Sequence, residues 1–235
     1  MKKILSIILS ITLIVSISLS GNADTFKSGT IGKCTWELDG TRLTIKGNSS
    51  MTDINLYNMP WENDEITSIA IEKGVTEIGQ RAFSNLNVPV VKLPYTVKTI
   101  NASAFQNSKI QTLVLTYKVN GIGSYAFNGC ETLEHVWYDG DSTSKYNLDK
   151  NTSWNNSELH KAEWHAYKLG LVTENDKISS ADALAVLHSA VGKTEFTFGQ
   201  TLAGDVNGDD NISAIDALMI LHYTVNKIHL FPIQE

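Results

Sequence analysis

A chain of 235 residues, 42% hydrophobic and 19% charged, is long enough to bury a core and to divide into one or two domains with appendages. Its net charge of −6, with 19 Lys and Arg scattered along the sequence, argues against a nucleic-acid partner. Two cysteines, Cys34 and Cys130, are too few for a disulfide scaffold.

The chain begins with Met1-Lys2-Lys3 and the apolar run ILSIILSITLIVSISLS. A positive start, an apolar core and small residues at Ser18 and Ser20, or Gly21 and Ala23, spell an export signal over 1–23. No later segment is apolar enough to span a bilayer, so the expected mature protein is secreted and free of the membrane. Residues 24–65 read as an N-terminal β cap. In TWELDGTRLTIKG, Thr35 to Gly47, the residues Trp36, Leu38, Leu43 and Ile45 alternate on one side of a hairpin turning at Asp39-Gly40. A lone hairpin is marginal in water, so it should dock on the segment C-terminal to it. Asn48 to Trp61 is polar and reads as a loop.

From Ile66 to Gly140 the sequence repeats. Ala82-Phe83, Ala104-Phe105 and Ala126-Phe127 are spaced by 22, as are Ile69, Val91 and Leu113, then Ile78, Ile100 and Ile122. A fourth, partial strand covers Leu133 to Tyr138. A fixed period in the twenties, with two alternating aliphatics per short strand, specifies a solenoid whose coils bury their faces only against neighbours. The pattern I-x-I-x-x-x-V-x-x-I-x-x-x-A-F resembles the BspA-like leucine-rich repeats of secreted bacterial proteins, and the hairpin with MPWEND resembles the cap that precedes them. Cys130, equivalent to Leu86 and Ser108, reads as a buried thiol; the alternative is a bridge to Cys34, which would need opposite ends of the repeat unit to meet. With Ile69 and Ile71 inward, period 2 puts Lys92, Val114, His135 and Trp137 on the outward strand face, a candidate surface for a protein or carbohydrate ligand. Trp137 either stacks on such a ligand or covers the end of the solenoid.

Asp141 to Asn156 is poor in aliphatics, so 141–162 is expected as a capping loop or linker. Glu158 to Lys168 reads as a short helix carrying Trp164. The tail then contains GDVNGDDNISAIDALMILHY, Gly204 to Tyr223. Asp205, Asn207, Asp209, Asn211, Ser213 and Asp216 stand at positions 1, 3, 5, 7, 9 and 12 of a loop that runs straight into a helix-forming segment. Ca²⁺ is a hard cation wanting six to eight oxygens, and this spacing wraps short oxygen-bearing side chains around it. An upstream copy at an offset of 34 aligns Ile178-Ser179-Ser180-Ala181-Asp182-Ala183-Leu184 with Ile212-Ser213-Ala214-Ile215-Asp216-Ala217-Leu218. Its loop opens on Leu171, which has no side-chain oxygen, and continues through Thr173, Asn175, Lys177 and Ser179 to Asp182, a weaker second site.

Two loop-helix units with Asp at position 12 and a spacing in the thirties resemble the type I dockerin family, over 163–235. The resemblance implies Ca²⁺ as cofactor and a cohesin module of a scaffoldin as partner. It implies contacts at Ser180 and Ala181 and at Ala214 and Ile215, with Leu187, His188, Leu221 and His222 one to two turns further on.

Catalytic signatures are absent from the sequence: no G-x-S-x-G, H-E-x-x-H, P-loop or G-x-G-x-x-G occurs. His160 and His165, five apart, fall on different faces of a helix and do not make the i, i+4 pair of a zinc helix. The expected architecture is a β-rich, BspA-like leucine-rich-repeat solenoid with a β-hairpin cap, followed by a small all-α calcium-loop domain. The expected role is a non-catalytic, scaffold-borne component of a polysaccharide-degrading complex of the cellulosome type. A cryptic hydrolase or protease inhibitor delivered by the tail, and a free bacterial adhesin, stand as alternatives.

Overall fold

The computed structural model describes residues 26–51, 59–62 and 64–234. The export signal expected over 1–23 lies outside them. The cap is a three-stranded antiparallel meander, β1 (Lys27–Ile31), β2 (Cys34–Asp39) and β3 (Arg42–Lys46). Trp36 faces Ile45 and Leu38 faces Leu43 across it, all four are buried, and Gly40 at φ 56° supplies the left-handed turn residue. The first strand, KSGTI, falls within the expected cap but was not expected as a strand: it lacks alternating aliphatics, and it joins by pairing with β2 and burying Ile31. β3 then pairs in parallel with the first repeat strand, β4 (Ser68–Ile71), which docks the cap on the solenoid.

The solenoid has two rows of parallel strands. The short row is β5 (Glu77–Ile78), β7 (Thr99–Ile100) and β9 (Gly121–Ile122). The longer row continues through β6 (Val90–Lys92), β8 (Thr112–Thr116) and β10 (His135–Asp139), with Val91, Leu113 and Val136 in register. The expected partial fourth strand is therefore β10. A third row stacks Phe83, Phe105 and Phe127 at centroid separations of 5.4 and 5.3 Å. Beneath them the backbone repeats the same rungs. Phe83 N–H donates to Ala104 O and Phe105 N–H to Ala126 O, each at 2.8 Å. The turn into each rung uses a left-handed residue every 22 positions: Arg81, Ser103 and Tyr125, then Asn85, Asn107 and Gly129.

Each end of the ladder lacks a neighbouring coil, and each is closed differently. Trp61 stacks on Phe83 at 6.1 Å and donates through Nε1 to Ala82 O at 3.0 Å. At the other end buried Asn156 takes the place of a coil: its Oδ1 accepts from Phe127 N at 2.9 Å, and its Nδ2 donates to Gly123 O and Ser153 O.

The stretch expected as a capping loop is largely helical. Asp141 caps α1 (Ser142–Lys150) by accepting from Ser144 N, and α2 (Ser157–Lys161) follows. The helix expected over Glu158 to Lys168 is a second correction. It stops at Lys161, and β11 (Glu163–Ala166) pairs in parallel with β10, because an open edge strand offers the backbone partners that an isolated short helix cannot supply. The sheet order is β11-β10-β8-β6, so the repeat unit extends past the 162 boundary drawn from composition. Cys34 and Cys130 are both buried and unpaired; burial pushes the Cys130 thiol up to about 12.

The tail contains α3 (Ser180–Ala190), α4 (Phe198–Gly204) and α5 (Ala214–Thr224). Its core gathers Val172, Ala183 and Val186 from the first copy, Val206, Ala217 and Ile220 from the second, and Phe231. Tyr95 of the repeat unit joins that core, so the tail is seated on the solenoid. Among the described residues no helix is long and apolar enough to cross a membrane.

Candidate docking face and calcium loops

In each copy the loop-closing aspartate doubles as a helix cap. Ser179 and Ser213 cap α3 and α5, and Asp182 and Asp216 reach back to the capping residue's N–H at 2.8 and 3.0 Å in a capping box. Their other oxygens reach across the loop. Asp182 Oδ1 accepts from Val172 N and Thr173 N, and Asp216 Oδ1 from Val206 N and Asn207 N. Both carboxylates are wholly buried, so these bonds hold the two loops in one shape.

The loops differ at their open ends. In the first, the Thr173 hydroxyl donates to Asp182 at 2.7 Å, spending the position 3 oxygen on a neighbour. Burial works against charge on Asp182, but the bonds from Thr173 and Ser179 outweigh it and hold its carboxyl below the usual range. Position 1 is Leu171 and position 7 is exposed Lys177, so the first loop is satisfied internally and fits a divalent ion poorly. In the second loop Asp205 is buried, and its oxygens accept from the N–H groups of Gly208, Asp209 and Asp210. Asp209 accepts from Asn211 N and Asn207 Nδ2. Asp210 sits at φ 63°, the left-handed turn that lets the loop fold back on itself. Four carboxylates thus share one short loop, a hard oxygen set that fits Ca²⁺.

One cation already reaches them. Lys92 Nζ lies 3.1 Å from Asp205 Oδ2 and 2.8 Å from Asp210 Oδ1. Burial works against its charge, yet Asp210 and Asp205 raise its pKa above the ordinary lysine value. Lys92 was expected on a free ligand face; that face is instead occupied by the tail. Val114, also expected outward and open, is buried, because α4 and the second loop lie over β6 and β8. Trp137 stacks on His165 at 4.4 Å and meets Phe198 of α4 at 5.5 Å, so its indole is engaged inside the molecule. His135 stands beside it, with Nδ1 3.0 Å from His165 Nε2. Deeper in the junction Tyr95 donates to Asp139, whose carboxyl rises above the usual range because burial outweighs that bond.

The helices present matching outer faces. Ser180 and Ala181 on α3, and Ala214 and Ile215 on α5, are exposed at the first turn. Leu187 and Leu221 are exposed further on, and His188 and His222 are half-buried. Two pairs absent from the expected contact set share this face: Leu184 and Leu218, 53% and 52% exposed, and Val191 and Val225, 61% and 55% exposed. Spacings of three and four residues put all of them on one stripe. An aliphatic repeated at the same place in both copies, on the side away from the core, was the signal available in the sequence.

Residues 52–161 match the family model for the BspA type leucine rich repeat region, in six copies, and residues 172–224 that for the dockerin type I domain. The chain joins a BspA-type leucine-rich-repeat unit to a type I dockerin domain. Neither matched family is a catalytic one. Solved structures similar to parts of the chain include the complex of the third ScaC cohesin with the ScaB dockerin from Acetivibrio cellulolyticus, 34% identical, covering 28% of this chain and 93% of that one, with a TM-score of 0.27. A leucine-rich repeat protein from Eubacterium ventriosum is 19% identical, covering 56% of this chain and 45% of that one, with a TM-score of 0.36. A leucine rich cell surface protein from Faecalibacterium prausnitzii is 26% identical, covering 33% of this chain and 24% of that one, with a TM-score of 0.27. The chain thus spans less than half the length of these two repeat proteins. No curated protein matches the chain.

Proposed function

We propose that this protein is a secreted, non-catalytic component that docks through its dockerin domain onto a cohesin-bearing scaffold of a polysaccharide-degrading complex. The observation that carries the reading is the pair of exposed, matching stripes along α3 and α5 and their C-terminal caps, with seven large aliphatics more than a third exposed. A small domain leaves such a surface bare at a cost in solubility, and it is the usual mark of a partner interface. One Ca²⁺ binds in the second loop, through Asp205, Asn207, Asp209, Asn211, Ser213 and Asp216, and braces the start of α5. The first loop holds its shape without metal.

The two stripes differ at two places: Ala214 replaces Ser180, and Ile215 replaces Ala181, the larger change. Burying the larger side chain is worth roughly 1.5–3 kcal/mol, about one to two decades in affinity. The second copy therefore leads docking, and the first offers a weaker alternative after a half-turn rotation. The repeats are the cargo, and they recognise a protein or carbohydrate ligand. Contact through Lys92, Val114, His135 and Trp137 would require the dockerin domain to lift from that face. The test is capture by a panel of cohesins in calcium and in EDTA. Calcium-dependent capture by at least one cohesin, lost in Ile215→Asp with Leu218→Asp, supports the reading; capture of none, or capture indifferent to those changes, overturns it.

A further inference from the structure

We propose that His135, Glu163 and His165 form a Zn²⁺-class transition-metal site on the seam between the last repeat strand and β11. Parallel pairing sets His135 opposite Glu163 and Trp137 opposite His165. Side chains alternate along a strand, so these four project from the same face of the sheet. Three donor atoms converge there. Nδ1 of His135 lies 3.0 Å from Nε2 of His165, and Oε2 of Glu163 lies 3.7 and 3.9 Å from the two rings. Donors held about 2.0–2.1 Å from a tetrahedral zinc ion lie about 3.4 Å from one another, so adjustments of about half an ångström bring all three to ligand spacing.

Two imidazoles and one carboxylate are a borderline-soft set that suits zinc and its neighbours, and not the all-oxygen preference of Ca²⁺ or Mg²⁺. The site is partly built before any ion arrives. Trp137 stacks on His165 with ring planes 22° apart, and the indole is itself seated against α4, where a Cβ on Gly199 would come within 2.4 Å of it. His165 is therefore held with its Nε2 toward His135, and Glu163, largely exposed, completes the set from the rim. Solvent access from the Glu163 side leaves a fourth position for water or for a donor from a partner. An ion here would cross-link β11 to β10 and so stiffen the strand that leads into the dockerin domain. The spacing of His160 and His165 concealed the site, because the true neighbour of His165 is thirty residues earlier and arrives only through strand pairing.

The test uses the full chain without a histidine tag, stripped of metal, saturated with Ca²⁺ and titrated with ZnCl₂ by calorimetry. One saturable Zn²⁺ per chain is expected, weakened at least about tenfold in Glu163→Gln, undetected in His135→Ala with His165→Ala, and unchanged in His160→Ala. Circular dichroism and the calcium titration report whether each variant is folded. In the parent protein, CoCl₂ should give the visible absorption of four-coordinate cobalt, displaced by Zn²⁺, which needs no variant at all. Absence of a saturable Zn²⁺ site in the parent, absence of that cobalt spectrum, or Zn²⁺ binding unaltered in the folded double variant would overturn the site.

Discussion

The repeat unit and the dockerin domain solve the same problem, a short chain with too little interior, by opposite means. The repeat unit copies one apolar rung four times over, from Trp61 through Phe83 and Phe105 to Phe127, and stacks a continuous buried column. The dockerin domain copies a polar device, a buried aspartate that ties a loop to a helix start, and gathers only a small core around Val186, Ile220 and Phe231. One region draws its stability from packing and the other from satisfied charge. The first should be indifferent to calcium and sensitive to volume; the second should be the reverse.

The sharpest way to break that comparison is in the column. Phe105 is fully buried between two rings, so Phe105→Ala should cost about 3–5 kcal/mol and melt the coils together. A loss below about 1 kcal/mol in chemical denaturation would mean the column does not carry the fold. Calcium removal is the matching test on the other side. Because the second loop's carboxylates are organised only in the folded state, saturating Ca²⁺ at about a thousandfold above its dissociation constant should stabilise the dockerin domain by about 4 kcal/mol. EDTA or Asp205→Ala should abolish that gain and loosen α5 in hydrogen exchange, while the repeats retain their protection. Equal loosening of both regions would contradict the division.

A smaller effect separates the two copies inside the dockerin domain. Ile215→Asp should weaken cohesin binding by about 1.5–3 kcal/mol and Ala181→Asp by less, measured by calorimetry. Equal losses, or a greater loss from Ala181→Asp, would show that the copies are interchangeable. The smallest effect concerns the contact between the regions. Lys92 sits on an oxygen of Asp205, so its ammonium competes with an incoming cation, and Lys92→Met should tighten Ca²⁺ binding by about threefold to tenfold, on the order of 1 kcal/mol for a part-exposed pair. Weaker binding in that variant would mean the lysine organises the loop rather than competing for it.

Much of this molecule is periodic, and periodicity is what a sequence displays best. The 22-residue spacing of Phe83, Phe105 and Phe127 was enough to specify the stacked column, and the 34-residue offset between Asp182 and Asp216 was enough to specify two like loops. The left-handed bend at Asp210 was also readable, since the loop spacing demands a turn where a glycine usually stands. Each of these is decided by neighbours close in the chain or by an exact copy, so local chemistry suffices. The non-periodic parts were not readable. Nothing in EWHA marks it as a strand, because its pairing is set by the open edge of β10 and not by its own residues. The KSGTI strand was missed for the same reason. Lys92, Val114, His135 and Trp137 looked like a free surface because alternation tells which way a side chain points, and says nothing of what lies opposite. Only the tertiary structure laid the dockerin domain over that face, set Lys92 on Asp205 across 113 residues, and brought His135 to His165 across thirty. Contacts between elements of different period leave no common rhythm in the chain, so burial and charge at such a seam are decided by how finished surfaces fit together.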